Sequence, residues 1–359
     1  MTKLSADPTP LHAETSETLV QYHRDALVRV MQEWTSSHRF PPVLLLTGQP
    51  GIGKRDMIHF LARWILCENR NSLTACNTCT SCEQSKSGHQ VNKIEILSSS
   101  GEEGGSLKIE QFRELKASMG LGTHGNQHKV ILIPHVEGLT SQASNSLLKL
   151  LEEPPAGWIF LLTTHDPTLL LPTLVSRCQV FRLKPLNNEI LTQLLEEHKV
   201  GSERRWICAR LAQGSLKRAL VLAEDEVWEV RSVLLKFFNA PHRHLQSILE
   251  WSSQGPEHFE VLVDLLEQLN TDLIQCSASR KLNGVELRPE QWLNTDLAQG
   301  LEAYANSMTK KLGSVSCAHQ FWVSQAERLA QLRIELLAPL HRKVLIQDVL
   351  FPWLEVRSL

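Results

Sequence analysis

The sequence predicts an α/β domain built on a parallel sheet, followed by an all-helical C-terminal part. Two observations carry this. Short apolar runs without alternation, at Val43–Thr47, Val130–Ile133 and Trp158–Leu162, are separated by segments of helical spacing. A strand with no polar face is covered on both sides, as strands are in a parallel sheet flanked by helices. From about Leu183 onward the strand signals stop, and only helical periodicity and breaks remain.

The elements follow in order. Leu19–Trp34 has amphipathic helical spacing, and Pro41-Pro42 ends it before the first apolar run. A glycine-rich turn follows that run. The next helix places Met57, Phe60, Leu61, Trp64 and Ile65 on one face. Lys93–Leu97 reads as a strand, Ser98–Ser106 as a loop, and Ile109–Met119 and Ser144–Leu151 as helices. Beyond them, Asn188–Glu197, Ser202–Ala212 and Leu216–Ala223 read as short helices. The remainder from Trp228 is expected to be helical, with Phe259–Leu269 and Phe321–Leu337 clearest and breaks at Ser252–Pro256, Ser277–Glu286 and Gly313–Ser316. The expected domains are residues 1–184, 185–226 and 227–359.

Composition sets bounds. With 359 residues, 42% of them hydrophobic, there is material for two or three cores. A formal charge of -2 leaves no global basic field to hold nucleic acid, so DNA contact is expected to be local or shared with partners. No apolar run reaches the ~18 residues of a membrane span, and the N-terminus has no secretory pattern. The expected location is the cytoplasm, where thiols stay reduced.

Gly48-x4-Gly53-Lys54 lies between a strand and a helix, the context of a phosphate-binding loop. There, glycines let backbone N–H groups close around phosphate oxygens, with Gly51 between them, and the lysine adds a point charge. The next position calls for a hydroxyl to ligate Mg²⁺, but it is Arg55. The strand Val130–Ile133 should end in a carboxylate, but it runs into Pro134-His135, with Glu137 two residues further on. Two defects in one chemistry argue against hydrolysis and leave ATP or ADP binding open.

Cys67-x8-Cys76-x2-Cys79-x2-Cys82 places four thiols in one short stretch at the end of the loop helix. Overlapping C-x2-C pairs suit tetrahedral zinc, and four ligands would make the site structural. A redox C-x2-C pair would instead sit at a helix N-terminus. His124, His128 and His135 have no carboxylate or cysteine at metal spacing and read as surface or loop residues. Lys108, Arg113 and Lys116 could touch DNA phosphates, but a solvated helix face is the plainer reading. The nine tryptophans read mostly as core or interface anchors.

Ser144–Pro155, reading SNSLLKLLEEPP, resembles the SNxLLKxLEEPP run of the AAA+ clamp-loader subunits of bacterial DNA polymerase III. Ser176-Arg177-Cys178 matches that family's SRC motif, and the cysteine spacing and position match its zinc module. Thr163-Thr164 resembles sensor 1. Gly214–Leu220 resembles the sensor 2 helix, with Lys217 where the family usually has Arg. The resemblance covers about Val43 to Leu220. It implies a RecA-like AAA+ domain with an inserted zinc module, a small helical lid, and an all-α C-terminal collar. It implies gamma/tau and delta subunits as partners in a hetero-oligomer, and a sliding clamp loaded on primed DNA. It also implies that Arg177 is an arginine finger facing a neighbour's nucleotide. Among the family's three sorts of subunit, the one that keeps zinc and SRC over a degraded ATPase fits best. The alternatives are a gamma/tau-type motor ATPase with unusual metal ligation and a zinc-containing DNA-binding regulator on a dead ATPase fold.

Overall fold

The computed structural model describes residues 17–37, 40–71, 73–98, 105–118, 128–239, 241–283, 291–335 and 342–358. They form two compact units, one of residues 17–194 with Gly214–Lys217, the other of Leu195–Gln213 with the described part of Arg218–Leu359.

The first unit runs α1 (Glu17–Ser37), β1 (Val43–Thr47), α2 (Lys54–Leu66), α3 (Thr80–Lys86), β2 (Lys93–Glu95), α4 (Ile109–Ser118), β3 (Lys129–Ile133), α5 (Ser141–Glu152), β4 (Trp158–Thr164), α6 (Pro172–Val175) and β5 (Gln179–Arg182). The strands form one parallel sheet in the order β2-β3-β4-β1-β5. Each central strand is apolar apart from Thr47, Lys129, Thr163 and Thr164 at the strand ends, because both its faces are covered. Leu44, Leu46, Val130, Leu132, Ile159 and Leu161 pack with α1 and α2. Val43, Leu45, Ile131, Ile133, Phe160 and Leu162, the alternate residues, pack with α4 and α5. Thr140 caps α5, its Oγ1 accepting from the amide of Ala143 at 3.2 Å. Phe160 is fully buried. Phe160→Ala should cost about 3–5 kcal/mol, read from the midpoint of urea unfolding, because the cavity adds to the lost transfer energy.

The strands at β1, β3 and β4 and the helices at α1, α2, α4 and α5 agree with the sequence reading. β5 was not anticipated: four residues, three of them exposed, carry no burial signal. The strand exists because the free edge of β1 pairs with it, Leu44 opposite Gln179 and Thr47 opposite Arg182. Most of the Ser98–Ser106 loop, together with Met119 and His124, lies outside the described residues.

α7 (Asn188–Glu197) leads from the first unit into the second, which is helical throughout its described residues. It continues with α8 (Ser202–Leu211), α9 (Leu216–Ala223), α10 (Asp225–Asn239), α11 (Pro241–Ser252), α12 (Pro256–Asn283), α13 (Ala298–Lys311), α14 (Val315–Glu335) and α15 (Arg342–Ser358). α7, α8 and α9 match the sequence reading closely, as does the break after Ser252. The expected break at Ser277–Glu286 is corrected: α12 continues to Asn283, and residues 284–286 lie outside the described set. Serines near Ser277 compete for backbone in isolation. Here Ser277 is buried and its Oγ donates to the Ile274 carbonyl at 2.9 Å, within bonding distance of His319 on α14. Tertiary packing therefore holds the helix. Trp322 of α14 and Trp353 of α15 meet edge to face with centroids 5.6 Å apart. Among the described residues no helix is long and apolar enough to cross a membrane.

Candidate functional site

The carboxyl ends of β1, β3 and β4 lie side by side, with Thr47 opposite Thr164 and Ile133 opposite Leu162. In open parallel sheets this is where ligands bind. The glycine-rich loop leaves β1 here. Gly51 and Gly53 have φ of 73° and 89°, a region that favours glycine. A Cβ on Gly51 would collide with Ser215 and Lys217, and one on Gly53 with Leu19. Gly48, which opens the loop, also has positive φ.

The carbonyls of this loop are taken up by the protein's own donors. Lys54 is buried, and its Nζ donates to the carbonyls of Gly48 at 2.7 Å and Gln49 at 2.8 Å. The amides of Leu216 and Lys217 donate to the Gly51 carbonyl at 2.8 and 3.3 Å. His23 of α1 lies with Nε2 at 2.6 Å from the Ile52 carbonyl. A carbonyl only accepts, so that nitrogen carries the proton. Burial lowers the pKa of His23 and the bond to Ile52 opposes this only in part.

Arg55 occupies the position of the metal-binding hydroxyl. Its guanidinium meets Glu95 at the end of β2, with Nη2 at 3.0 Å and Nε at 3.1 Å from one carboxylate oxygen. His59 reaches the same oxygen at 3.1 Å. Burial alone would raise the Glu95 pKa, but His59 and Arg55 outweigh it and bring it down to about 2. The place where a cation would bind thus holds a guanidinium and its own counter-ion.

Beyond β3, His135 has φ of 56° and begins the turn Val136–Gly138. Its amide donates to Thr163 Oγ1 at 3.1 Å. Glu137 in that turn lies 2.6 Å from His165 Nδ1 and 3.5 Å from His135 Nδ1. The turn thus brings the carboxylate two residues on back beside His135, a pairing and not a metal-ligand cluster among the described residues. Burial pushes the Glu137 pKa up, yet hydrogen bonds from His135, its own backbone, Thr164 and His165 hold it at about 2. This group's folded pKa is depressed, so its stabilisation is present above the ordinary 4.5 and lost as pH falls toward about 2. Glu137→Gln should flatten the acid limb of stability against pH, measured as urea midpoints through that interval. A variant whose midpoint falls with acid as steeply as the wild type would refute the assignment.

Thr164 is fully buried at the end of β4, its hydroxyl donating to the Asp166 carbonyl at 3.1 Å. The backbone of Lys217 lies against Gly51, so the start of α9 meets the loop. Arg177 follows α6 and is partly exposed. It donates to the Thr173 carbonyl and to Glu152 Oε1, both at 2.7 Å. The SRC segment is thereby linked to the LEEPP end of α5. Lys108, Arg113 and Lys116 are all exposed. His128 is partly buried and stacks edge to face on Phe40.

Cys67 caps the C-terminus of α2, Cys79 caps the N-terminus of α3, and Cys82 lies in its first turn. The placement of all four thiols at a helix C-terminus is thus corrected, and Cys79-x2-Cys82 does begin a helix. Local geometry alone would admit a redox pair. Convergence favours a metal: the four sulfurs lie within 4.8 Å of one another, with Cys67 and Cys79 at 4.0 Å. Tetrahedral Zn–S bonds of ~2.3 Å would set sulfurs about 3.8 Å apart. The amides of Cys76 and Cys79 donate to the sulfurs of Cys67 and Cys76 at 3.2 and 3.3 Å, as suits thiolates. Burial pushes the Cys67 thiol up and the Cys82 thiol to about 12, while hydrogen bonds from Thr78 and Cys79 lower Cys76 to about 6. Only a bound cation would hold all four sulfurs as thiolates, and the donor set fits a zinc ion, which would cross-link the ends of α2 and α3.

Residues 23–187 match the family described as DNA polymerase III, delta subunit. The delta-prime subunit of DNA polymerase III from Yersinia pestis is 29% identical over 337 residues, 89% of this chain and 90% of that protein. The delta-prime subunit from Escherichia coli is 31% identical over 228 residues, 62% of this chain and 68% of that protein. The tau subunit from Escherichia coli is 36% identical, but over 51% of this chain and only 29% of its own length. A solved structure of a DNA polymerase III gamma subunit-related protein from Thermotoga maritima aligns over 93% of this chain and 99% of that one, with 18% identity and a TM-score of 0.43. With the Escherichia coli protein matched over two thirds of its length and the Yersinia pestis protein over most of it, this chain belongs to the family of DNA polymerase III delta-prime subunits.

Proposed function

We propose that this chain is the delta-prime subunit of a clamp loader, working in the cytoplasm in a hetero-oligomer with gamma/tau and delta subunits. In this reading it helps to open a sliding clamp and load it on primed DNA, and it hydrolyses no ATP itself. The observation that carries this is the Arg55–Glu95 pair at the metal position of the phosphate loop. A motor subunit needs a hydroxyl there and a carboxylate beyond β3. The gamma/tau reading is further weakened because the tau match covers 51% of this chain, against 89% for the Yersinia pestis delta-prime subunit.

In this assignment residues 1–184 form the AAA+ domain, 185–226 a lid and 227–359 a collar that binds the other subunits. Gly48, Gly51, Gly53, Lys54, Arg55, Thr164 and Lys217 form a degenerate nucleotide site. It admits ATP or ADP only if Lys54 lets go of the Gly48 and Gln49 carbonyls. Cys67, Cys76, Cys79 and Cys82 hold a structural zinc. Arg177 acts in trans.

Reconstitution with gamma/tau and delta subunits tests the proposal. The chain alone should show no ATP turnover, and omitting it should abolish clamp loading. Lys54→Ala in this chain should leave the ATPase rate of the assembled loader within about twofold of wild type, since the loop runs no phosphoryl transfer. A steep loss would make the chain a working motor.

A further inference from the structure

A second polar pocket shares no lining residue with the phosphate loop. A pocket of 190 Å³ is lined by Arg24 of α1, Arg63 of α2 and Asn77 of the cysteine module, with buried Phe60 among its apolar lining. Arg24 Nη2 donates to Gln21 Oε1 at 2.8 Å. Among the described residues neither guanidinium pairs with a carboxylate, and the Nε of each is buried without an acceptor. Arginine cannot shed its charge, so two partly covered guanidinium groups on one pocket make a standing demand for an anion. Glu17 also lines the pocket, leaving two cations against one anion.

The direction of approach narrows the ligand. The two arginines arrive from different helices and Asn77 from a third segment. A planar carboxylate presents its two oxygens in one plane, which suits one guanidinium fork. A tetrahedral oxyanion presents oxygens in several directions and can take donors from all three segments. We propose that this pocket is a binding site for a phosphate group. The group could belong to the backbone of a nucleic acid or to free phosphate; both offer the same oxygens. The site uses none of the residues assigned to the phosphate loop and stands or falls apart from them.

The test uses the full chain, purified under reducing conditions, titrated with inorganic phosphate and followed by ³¹P line broadening. Saturable binding is expected. Arg24→Gln and Arg63→Gln should each weaken it about tenfold or more, since each removes a charge-assisted bond. Glu17→Gln, which removes only the opposing charge, should tighten it. Thermal unfolding of each variant checks that the fold survives, and the Glu17 variant leaves both arginines untouched. A single-stranded oligonucleotide separates the two sources. If the backbone phosphate is the ligand, both arginine variants bind it more weakly, and the slope of log K against log salt becomes shallower by about 0.7 for each. If free phosphate is the ligand, oligonucleotide binding stays unchanged while phosphate binding is lost. No saturable phosphate binding, or equal binding by all three variants and wild type, overturns the proposal.

Discussion

With Arg177 acting in trans as proposed, Arg177→Ala should lower ATP turnover at the neighbouring subunit's site by ~10³ or more in the assembled loader, as loss of an arginine finger does in phosphoryl transfer. The isolated chain should barely register the change. Its guanidinium is about one third exposed and Glu152 about one half, and an ion pair so open to water contributes about 0–1 kcal/mol. That contrast makes the test sharp: folding, metal content and assembly stay intact while clamp- and DNA-stimulated hydrolysis and clamp loading fall. The contacts to Glu152 and the Thr173 carbonyl hold the side chain at the end of α6, one ready geometry. They also make up the plainer alternative, in which Arg177 only ties α6 to α5. Arg177→Lys separates the two. An ammonium can keep a pairing with Glu152, but it cannot reproduce a planar fork on phosphate oxygens, so rescue should be poor. An alanine variant that assembles and loads clamps at the wild-type rate removes the trans role.

Cys79→Ser should release the metal and loosen the segment between α2 and α3. Wild-type protein purified under reducing conditions should carry about one zinc per chain, since four thiolates complete one tetrahedral shell. A zinc ion held by the four sulfurs would join Cys67 on α2 to Cys79 and Cys82 on α3. Apparent zinc-binding free energies in small structural sites reach ~10–16 kcal/mol, so losing one ligand outweighs any single contact in the module. Other ties include the Trp64 indole to the Asn71 carbonyl at 3.0 Å, the Arg70 guanidinium to the Ile65 carbonyl at 2.9 Å, and Arg70 over the Phe40 ring. Limited proteolysis should cut the variant between Cys67 and Cys82 first, with the sheet intact. Elemental analysis that finds no metal in fresh wild-type protein rejects the site.

Much of this protein could be read from its sequence alone. β1, β3 and β4 are legible because a strand covered on both faces needs apolar residues without a break, a local requirement. The loop and its two defects are legible because each is a residue type at a fixed spacing, and the cysteine cluster for the same reason. The sequence therefore determined the α/β class, the helical C-terminal part, the four candidate metal ligands and the loss of the magnesium-binding groups. It could not show β5, whose exposed residues pair only because β1 has a free edge, or α3, a single short helix that begins at a candidate ligand. The partners of Arg55 and Glu137 were also hidden. Glu95 is 40 residues from Arg55, and His165 is 28 from Glu137. Nothing in local pattern links such pairs. A buried charge must find a counter-charge, but which one it finds is decided by the register of β2, β3 and β4, and that register exists only once the sheet has formed.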